Sequence, residues 1–523
     1  MGSQMGKSVE KQISINSIKT KMKRLFIIVT AVIGLAVISI MAFAQQDPPA
    51  RVSIQLPNGR AADIPPGPYT DSWESIRDHY ETPQWFIDGK FGIFMHWGLY
   101  SVPAAGSEWY PRHMYGGMLK HHTDNWGSPK DFGYKDFIPL FKAEKFDPDA
   151  WAALFKESGA TYVIPTAEHH DGFAMYGSEL TRWNARDMGP KRDLIGDLAI
   201  AVRKQGMKFG VSNHRLENWD FMYPTAAKEH DLYDPKYADF YGPPQKPDPT
   251  KASAMGGRGE APQSLEFLEE WLARCQEIID KYQPDMLWFD NGINTRSLDP
   301  LKLRLAAYYY NRAAQWGKDV SLSTKGDAYL YGTVRDFERQ GRAPKEITSY
   351  YWQVDEPIGH KFGYVEGLQL QNAGNVINKL VENISKNGNL CLNISPKADG
   401  TIPEDQQEVL RGVGRWMKIN GEAVYGTRAW IYYGEGPNVP GNQSEYDFRF
   451  TQKDNILYAF MMRGGKGEVT IKSFDPDNIG KVKNVSLLGY NGKIEFVQTE
   501  KGLKVTIPNA YRSEYISVFK VEI

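Results

Sequence analysis

From about residue 70 to about 426, short apolar runs ending on polar residues alternate with amphipathic stretches. The runs FGIFMHWG (91–98), TYVIPTAEHH (161–170), KFGVSNHR (208–215), DMLWFDNG (285–292), VSLSTKG (320–326), EITSYYWQ (346–353) and NLCLNISPK (389–397) predict strands. Between them the apolar spacing lengthens to three and four residues, which predicts helices over 148–158, 194–205 and 264–282. In the last, Leu265, Leu268, Trp271, Leu272, Cys275, Ile278 and Ile279 fall on one face. Strand–helix units repeated over this length predict a parallel α/β fold, and a (β/α)8-like (TIM-type) barrel suits them best. A doubly wound open sheet is the alternative. It usually carries a Gly-rich phosphate loop after an early strand, and none is present.

After residue 426 the pattern changes to β-branched, alternating runs with turn residues: RAWIYYGEG, NILYAFMMRGG, GEVTIKSF, VKNVSLLGYNG, LKVTIPNA and YISVFKVEI. They predict an antiparallel β-sandwich over 427–523 with no evident chemistry of its own. At the other end, Met22-Lys23-Arg24, the apolar stretch Leu25 to Ile40 and Ala42-Phe43-Ala44 read as a signal peptide cleaved near Ala44. Retention of the apolar stretch as an anchor is the alternative. Residues 1–44 are thus extension and signal, 45–69 a Pro-rich linker, and 70–426 the barrel. The expected destination is the periplasm or the exterior, with no stable membrane insertion after cleavage.

Composition narrows the function. With 62 Lys+Arg against 63 Asp+Glu, nothing favours nucleic acid as a partner. Aromatic residues make up 13% of the chain, an excess that suits stacking on sugar rings as well as a core. Two cysteines, Cys275 and Cys391, cannot build a disulfide framework or a Cys-rich metal site. The sequence leaves the oligomeric state open.

In a barrel the polar residues that end the strands gather at one rim. These are His96 and Trp97, His169 and His170, His214, Asp290, Lys325 and Gln353. Asp290 follows Trp288 and Phe289 and precedes Asn-Gly turn residues, so it presents either a catalytic carboxylate or a turn-stabilising one. Glycoside hydrolysis needs a second carboxyl group. Glu338 in DFERQGR is expected on a loop after the fifth strand, with Glu356 and Glu217 as competitors and an ion pair with Arg335 or Arg342 as the bland reading. His169-His170-Asp171 lacks the His-Glu-x-x-His spacing of a helical zinc site. Neutral imidazoles that bond sugar hydroxyls fit better, because each ring offers a donor and an acceptor.

The stretches WFIDGKFGIFMHWGLYSVPAAGSEWYPRHMY (85–115), EHHDGFAMYGS (168–178), LWFDNG and GNLCLNISPKADGTIP (388–403) together resemble the α-L-fucosidases of glycoside hydrolase family 29, in the family's order from about residue 70 to about 430. The resemblance implies a retaining exo-α-L-fucosidase acting on fucosylated glycans without a cofactor or metal. By position it implies Asp290 as nucleophile, Glu338 as acid/base, and His96, Trp97, Glu108, Trp109, His169, His170, His214, Trp288, Lys325 and Phe362 around the sugar. The chain also departs from the family. Gln353 stands where many members have a glutamate, His214 near a usual tyrosine, Lys325 for an arginine and Glu168 for a lysine. A non-catalytic fucose-binding barrel and a glycosidase for a related galacto-configured sugar remain alternatives at this point.

Overall fold

The computed structural model describes residues 60–257 and 259–523; the signal segment and most of the linker lie outside the described residues. Eight parallel strands close into a barrel: β1 (Phe91–Met95), β2 (Tyr162–Glu168), β3 (Lys208–Asn213), β4 (Met286–Phe289), β5 (Ser321–Lys325), β6 (Thr333–Glu338), β7 (Trp352–Pro357) and β8 (Gly388–Ile394). Closure comes from β1, which pairs with β2 on one side and β8 on the other.

Side chains alternate along each strand, and this alternation organises the molecule. Outward residues such as Ile93, Val163, Val211, Leu287, Leu322, Val354 and Leu392 join the large core beneath the helices. Inward residues Phe94, Tyr162, Ile164, Met286, Trp288, Val334 and Cys391 form a separate small core inside the barrel. Gly92 makes room for it, since a Cβ there would lie 2.2 Å from the Tyr162 ring. One layer higher the inward positions turn polar. Ser212, Ser323, Asp336, Gln353 and Asn393 are all buried there.

Seven helices concern the barrel: α1 (Trp73–His79), α2 (Pro148–Glu157), α3 (Leu194–Lys204), α4 (Leu265–Tyr282), α5 (Asp299–Trp316), α6 (Ala373–Ile384) and α7 (Glu404–Asn420). Local chemistry fixes several starts. Asp147, Asp193, Ser264 and Asn372 each accept a hydrogen bond from a first-turn N–H, capping α2, α3, α4 and α6. The ring of helices is incomplete. Among the described residues no helix joins β5 to β6, and only a short 3-10 turn lies between β6 and β7. The N-terminal α1 covers part of that gap: Trp73 meets the Tyr329 ring edge-on at 5.8 Å.

Two strand expectations need correction. Residues Thr333–Glu338 form β6, so Glu338 ends a strand rather than riding on a loop. The expected strand over 346–353 begins only at Trp352. Both errors arise because the upper barrel lining is polar, so TVRDFE lacks the apolar pattern of a buried strand.

The C-terminal part has eight strands where six runs were expected. Phe448–Lys453 and Glu495–Thr499 are the additional ones. They form a five-stranded and a three-stranded antiparallel sheet. Their side chains also reach the barrel: Trp416 of α7 donates to the Ile516 carbonyl at 2.9 Å, and Arg449 pairs with Glu382 of α6 at 2.6 Å. No helix among the described residues is long and apolar enough to cross a membrane.

Candidate active site

Asp290 follows the last residue of β4 and lies at the upper end of the inward row that holds Met286 and Trp288. Lys325 ends β5 and Glu338 ends β6 on neighbouring inward rows. The Lys325 ammonium lies 2.8 Å from Asp290 Oδ1 and 3.0 Å from Glu338 Oε2, with Asp355 Oδ2 at 3.9 Å. Asp290 Oδ1 and Glu338 Oε2, which share this neighbour, therefore lie less than about 6 Å apart.

Burial alone would raise Asp290. The Lys325 ammonium and the hydrogen bond with His214 outweigh it and hold this carboxyl well below the usual carboxylate range. Lys325 shows the reverse balance. Desolvation pushes its ammonium down, but Asp290, Asp355 and Glu338 hold it well above its ordinary value.

Four histidines form one wall, with ring centroids 4.2 Å apart for His169–His170, 4.7 Å for His169–His214 and 5.4 Å for His96–His214. Burial lowers His96, His170 and His214 to about 4, and His169 further, so all four rings are neutral near pH 7. His96 Nδ1 is 2.7 Å from Asn393 Oδ1, while Asn393 Nδ2 donates to the Phe362 carbonyl. That orientation leaves the other His96 nitrogen as an acceptor. His170 Nε2 stands 3.7 Å from Asp290 Oδ2.

His214 has both nitrogens engaged by protein groups, Nδ1 with Asp290 Oδ2 at 3.1 Å and Nε2 with Ser212 Oγ at 3.0 Å. It orients the carboxylate, which differs from the sugar contact expected of it. Three aromatics complete the wall: Trp109 against His170 at 5.9 Å, Phe362 against His96 at 5.1 Å, and Trp288 against His214 at 5.1 Å. Glu108 accepts from the Gly363 N–H at 2.9 Å, tying the loop after β1 to the one carrying Phe362.

Trp97 needs correction. It packs among Phe141, Phe146 and Trp151 and donates to the Lys397 carbonyl, because it follows inward-facing His96 and therefore points outward. Glu356 has the same outward sense and is bound by Lys379 of α6 at 2.6 Å. Glu217 is buried beneath the Asp290 turn, where it accepts from the Gly292 N–H and burial raises it well above the usual range.

Two acids of the lining have no counterpart among the residues expected from the sequence: Asp355 beside Glu338 and Asp336 beneath it. Asp336 and Asp355 are both buried, and burial is the chief cause that raises each carboxyl above the usual carboxylate range. Trp288 Nε1 and Gln353 Nε2 both donate to Asp336, at 2.9 and 2.7 Å. The signal was present in the two-residue spacing from Asp336 to Glu338. Glu168 is explained as well: Arg215 and Arg274 each approach its Oε1 at 2.9 Å, behind the histidine wall.

Two triplets bring ligand atoms within 4.8 Å of one another: His96, His169 and His214, and His170, His214 and Asp290. His214 belongs to both and has no free nitrogen, and the Lys325 ammonium beside Asp290 opposes a second cation.

The neutral histidines have a consequence for stability. Their folded values near 4 lie below the ~6.5 of an unfolded chain, so between these limits the unfolded state binds more protons. Stability is therefore full above about pH 6.5 and is lost as pH falls toward 4. The thermal midpoint of the free protein should drop over that window, and His214→Gln should make the drop shallower. A midpoint that stays level down to pH 4.5 would contradict the neutral assignment.

The alpha-L-fucosidase family pattern matches residues 59–422, and that of the alpha-L-fucosidase C-terminal domain matches 442–522. The tissue alpha-L-fucosidase of Rattus norvegicus is 30% identical over 471 residues, spanning 86% of this chain and 91% of the relative. An alpha-L-fucosidase of Dictyostelium discoideum is 28% identical over 465 residues, spanning 84% and 88%. The solved structure of a Thermotoga maritima alpha-fucosidase in complex with fucose superposes with a TM-score of 0.68 at 30% identity, covering 87% of this chain and all of that one. With both of its parts matched by family patterns and its barrel superposing on a solved fucosidase, the chain belongs to the α-L-fucosidase family.

Proposed function

We propose that the protein is a retaining exo-α-L-fucosidase that removes terminal α-L-fucosyl residues from fucosylated glycans, with Asp290 as nucleophile and Glu338 as general acid/base. The observation that carries the residue assignment is the single ammonium, Lys325, within 3.0 Å of both carboxyls. The anomeric carbon has to lie beside Asp290 and its leaving oxygen beside Glu338, with the Lys325 ammonium kept next to the carboxyls so that Asp290 stays ionised. Asp290, ionised and oriented by His214, attacks C1 while Glu338 gives its proton to the departing oxygen. Water activated by Glu338 then releases fucose from the glycosyl-enzyme. His96, His169 and His170 supply acceptors and donors for the hydroxyls, and Trp109, Trp288 and Phe362 enclose the ring and its methyl group. The reading uses no cofactor. The sequence signals at Leu25 to Ile40 and Ala42-Phe43-Ala44 support export to the periplasm or the exterior.

Asp290→Ala should lower kcat on the order of a thousandfold or more, with partial recovery in azide. NMR of the first product should show the α-anomer; initial release of the β-anomer would exclude retention and this nucleophile.

Glu338→Ala should slow substrates with poor leaving groups far more than an activated aryl fucoside, whose phenolate barely needs a proton. Glu356→Ala should show no such bias, because Glu356 is directed at Lys379. The opposite pattern would exchange the two roles.

Exhaustive treatment with EDTA should leave kcat unchanged. Loss of activity restored specifically by one divalent ion would show that one of the histidine triplets holds a required metal.

A further inference from the structure

The pocket mouth carries cations that this chemistry does not use. Arg339 directly follows Glu338 and has φ 62° and ψ 146°, a conformation that residues with a Cβ rarely adopt. Its N–H donates to the Asp355 carbonyl at 3.0 Å, and its guanidinium lies 5.0 Å over the Phe362 ring, with Nη2 3.4 Å from the His360 carbonyl. Strained backbone of this kind persists where its surroundings impose it, and it clusters at functional sites. Here the result is a guanidinium stacked on the same Phe362 ring that touches His96.

A second cation covers the Trp109 side. The Arg112 guanidinium carbon is 5.9, 5.7 and 5.1 Å from the Trp109, Phe221 and Tyr223 rings, and both Trp109 and Phe221 contact His170. Burial, and after it the nearby charge of Arg112, push His113 below its ordinary value. Among the described residues no carboxylate lies within ion-pair distance of Arg112, Arg339 or Lys361, and Arg342 reaches only Glu338, at 3.5 Å. The acid that responds to Arg112 is Asp220, which burial pushes up to about 6.

Glu338, as the acid/base, must touch the leaving oxygen, so residues beside it face the aglycone. We propose that Arg339, supported by Arg112, forms a subsite for an oxyanion on the aglycone, and that the preferred substrates are fucosides whose adjoining sugar bears a sulfate ester or a carboxylate. A planar guanidinium stacked on a ring is preorganised to bind such groups in two-pronged fashion. At a solvated rim it also attracts an anionic substrate from solution without the desolvation cost of a buried ion pair. This inference rests on the fucosidase reading.

The test compares kcat/KM for three substrates: a neutral fucosylated trisaccharide, the same molecule with one sulfate ester on the sugar next to fucose, and the same with a carboxylated sugar there. At low ionic strength the wild type should prefer an anionic member by about five- to tenfold, and the preference should shrink in ~0.5 M salt. In Arg339→Gln, and to a lesser degree Arg112→Gln, the ratio of anionic to neutral kcat/KM should fall toward one. Reading the ratio within each protein cancels any general loss of activity. Preference for the sulfated or for the carboxylated member supports the subsite and identifies its ligand. Turnover of all three at equal, salt-independent rates would overturn the subsite and leave the fucosidase reading intact. No turnover of any member would sink both.

Discussion

A buried ammonium among acids is the interaction on which the site depends. Taking a charged group out of water costs several kcal/mol, and an opposite charge about 4 Å away returns on the order of 4 kcal/mol near a protein surface. One carboxylate would therefore barely hold Lys325 charged in this setting, whereas Asp290, Glu338 and Asp355 together do so. The dependence is mutual. Without the ammonium, Asp290 would be a buried carboxyl among neutral imidazoles, and desolvation would push it toward its protonated, non-nucleophilic form.

Barrel alternation places these groups. Asp290, Lys325, Glu338 and Asp355 come from four adjacent strands and meet because each occupies an inward position toward the C-terminal end of its strand. The inward apolar layer below, from Phe94 to Trp288, closes the barrel beneath the pocket, so the carboxyls face one opening only. Below them Asp336 accepts from both Trp288 and Gln353 and so fastens the lining. Gln353 is thereby a structural residue of the lining, and its lack of an acidic proton costs the chemistry nothing if Glu338 serves as acid/base.

Two other departures from the family pattern have physical partners. A carboxylate at Glu168, directly before the histidine pair, would be an uncompensated buried charge. Arg215 and Arg274 supply the compensation, with Glu270 completing the network. Histidine at 214 does for Asp290 what a hydroxyl does less directly, since its ring bridges from the Ser212 hydroxyl to the carboxylate.

The order of strands and helices, the barrel and sandwich classes, and the motifs around His96, His170, Asp290 and Asn393 were legible in the sequence because they are local patterns of apolar spacing and residue type. Strand β6 was not, since two of its three inward residues, Asp336 and Glu338, are charged and an apolar period cannot reveal them. The outward turn of Trp97, the attachment of Glu356 to Lys379 and the use of both His214 nitrogens on protein groups were equally invisible. Each depends on which face of a strand a residue takes and on what another strand or helix, distant in sequence, brings against it. Sequence determined which chemical groups reach the barrel mouth; only closure of the barrel, which sets side-chain direction and partner, decided which of them meet.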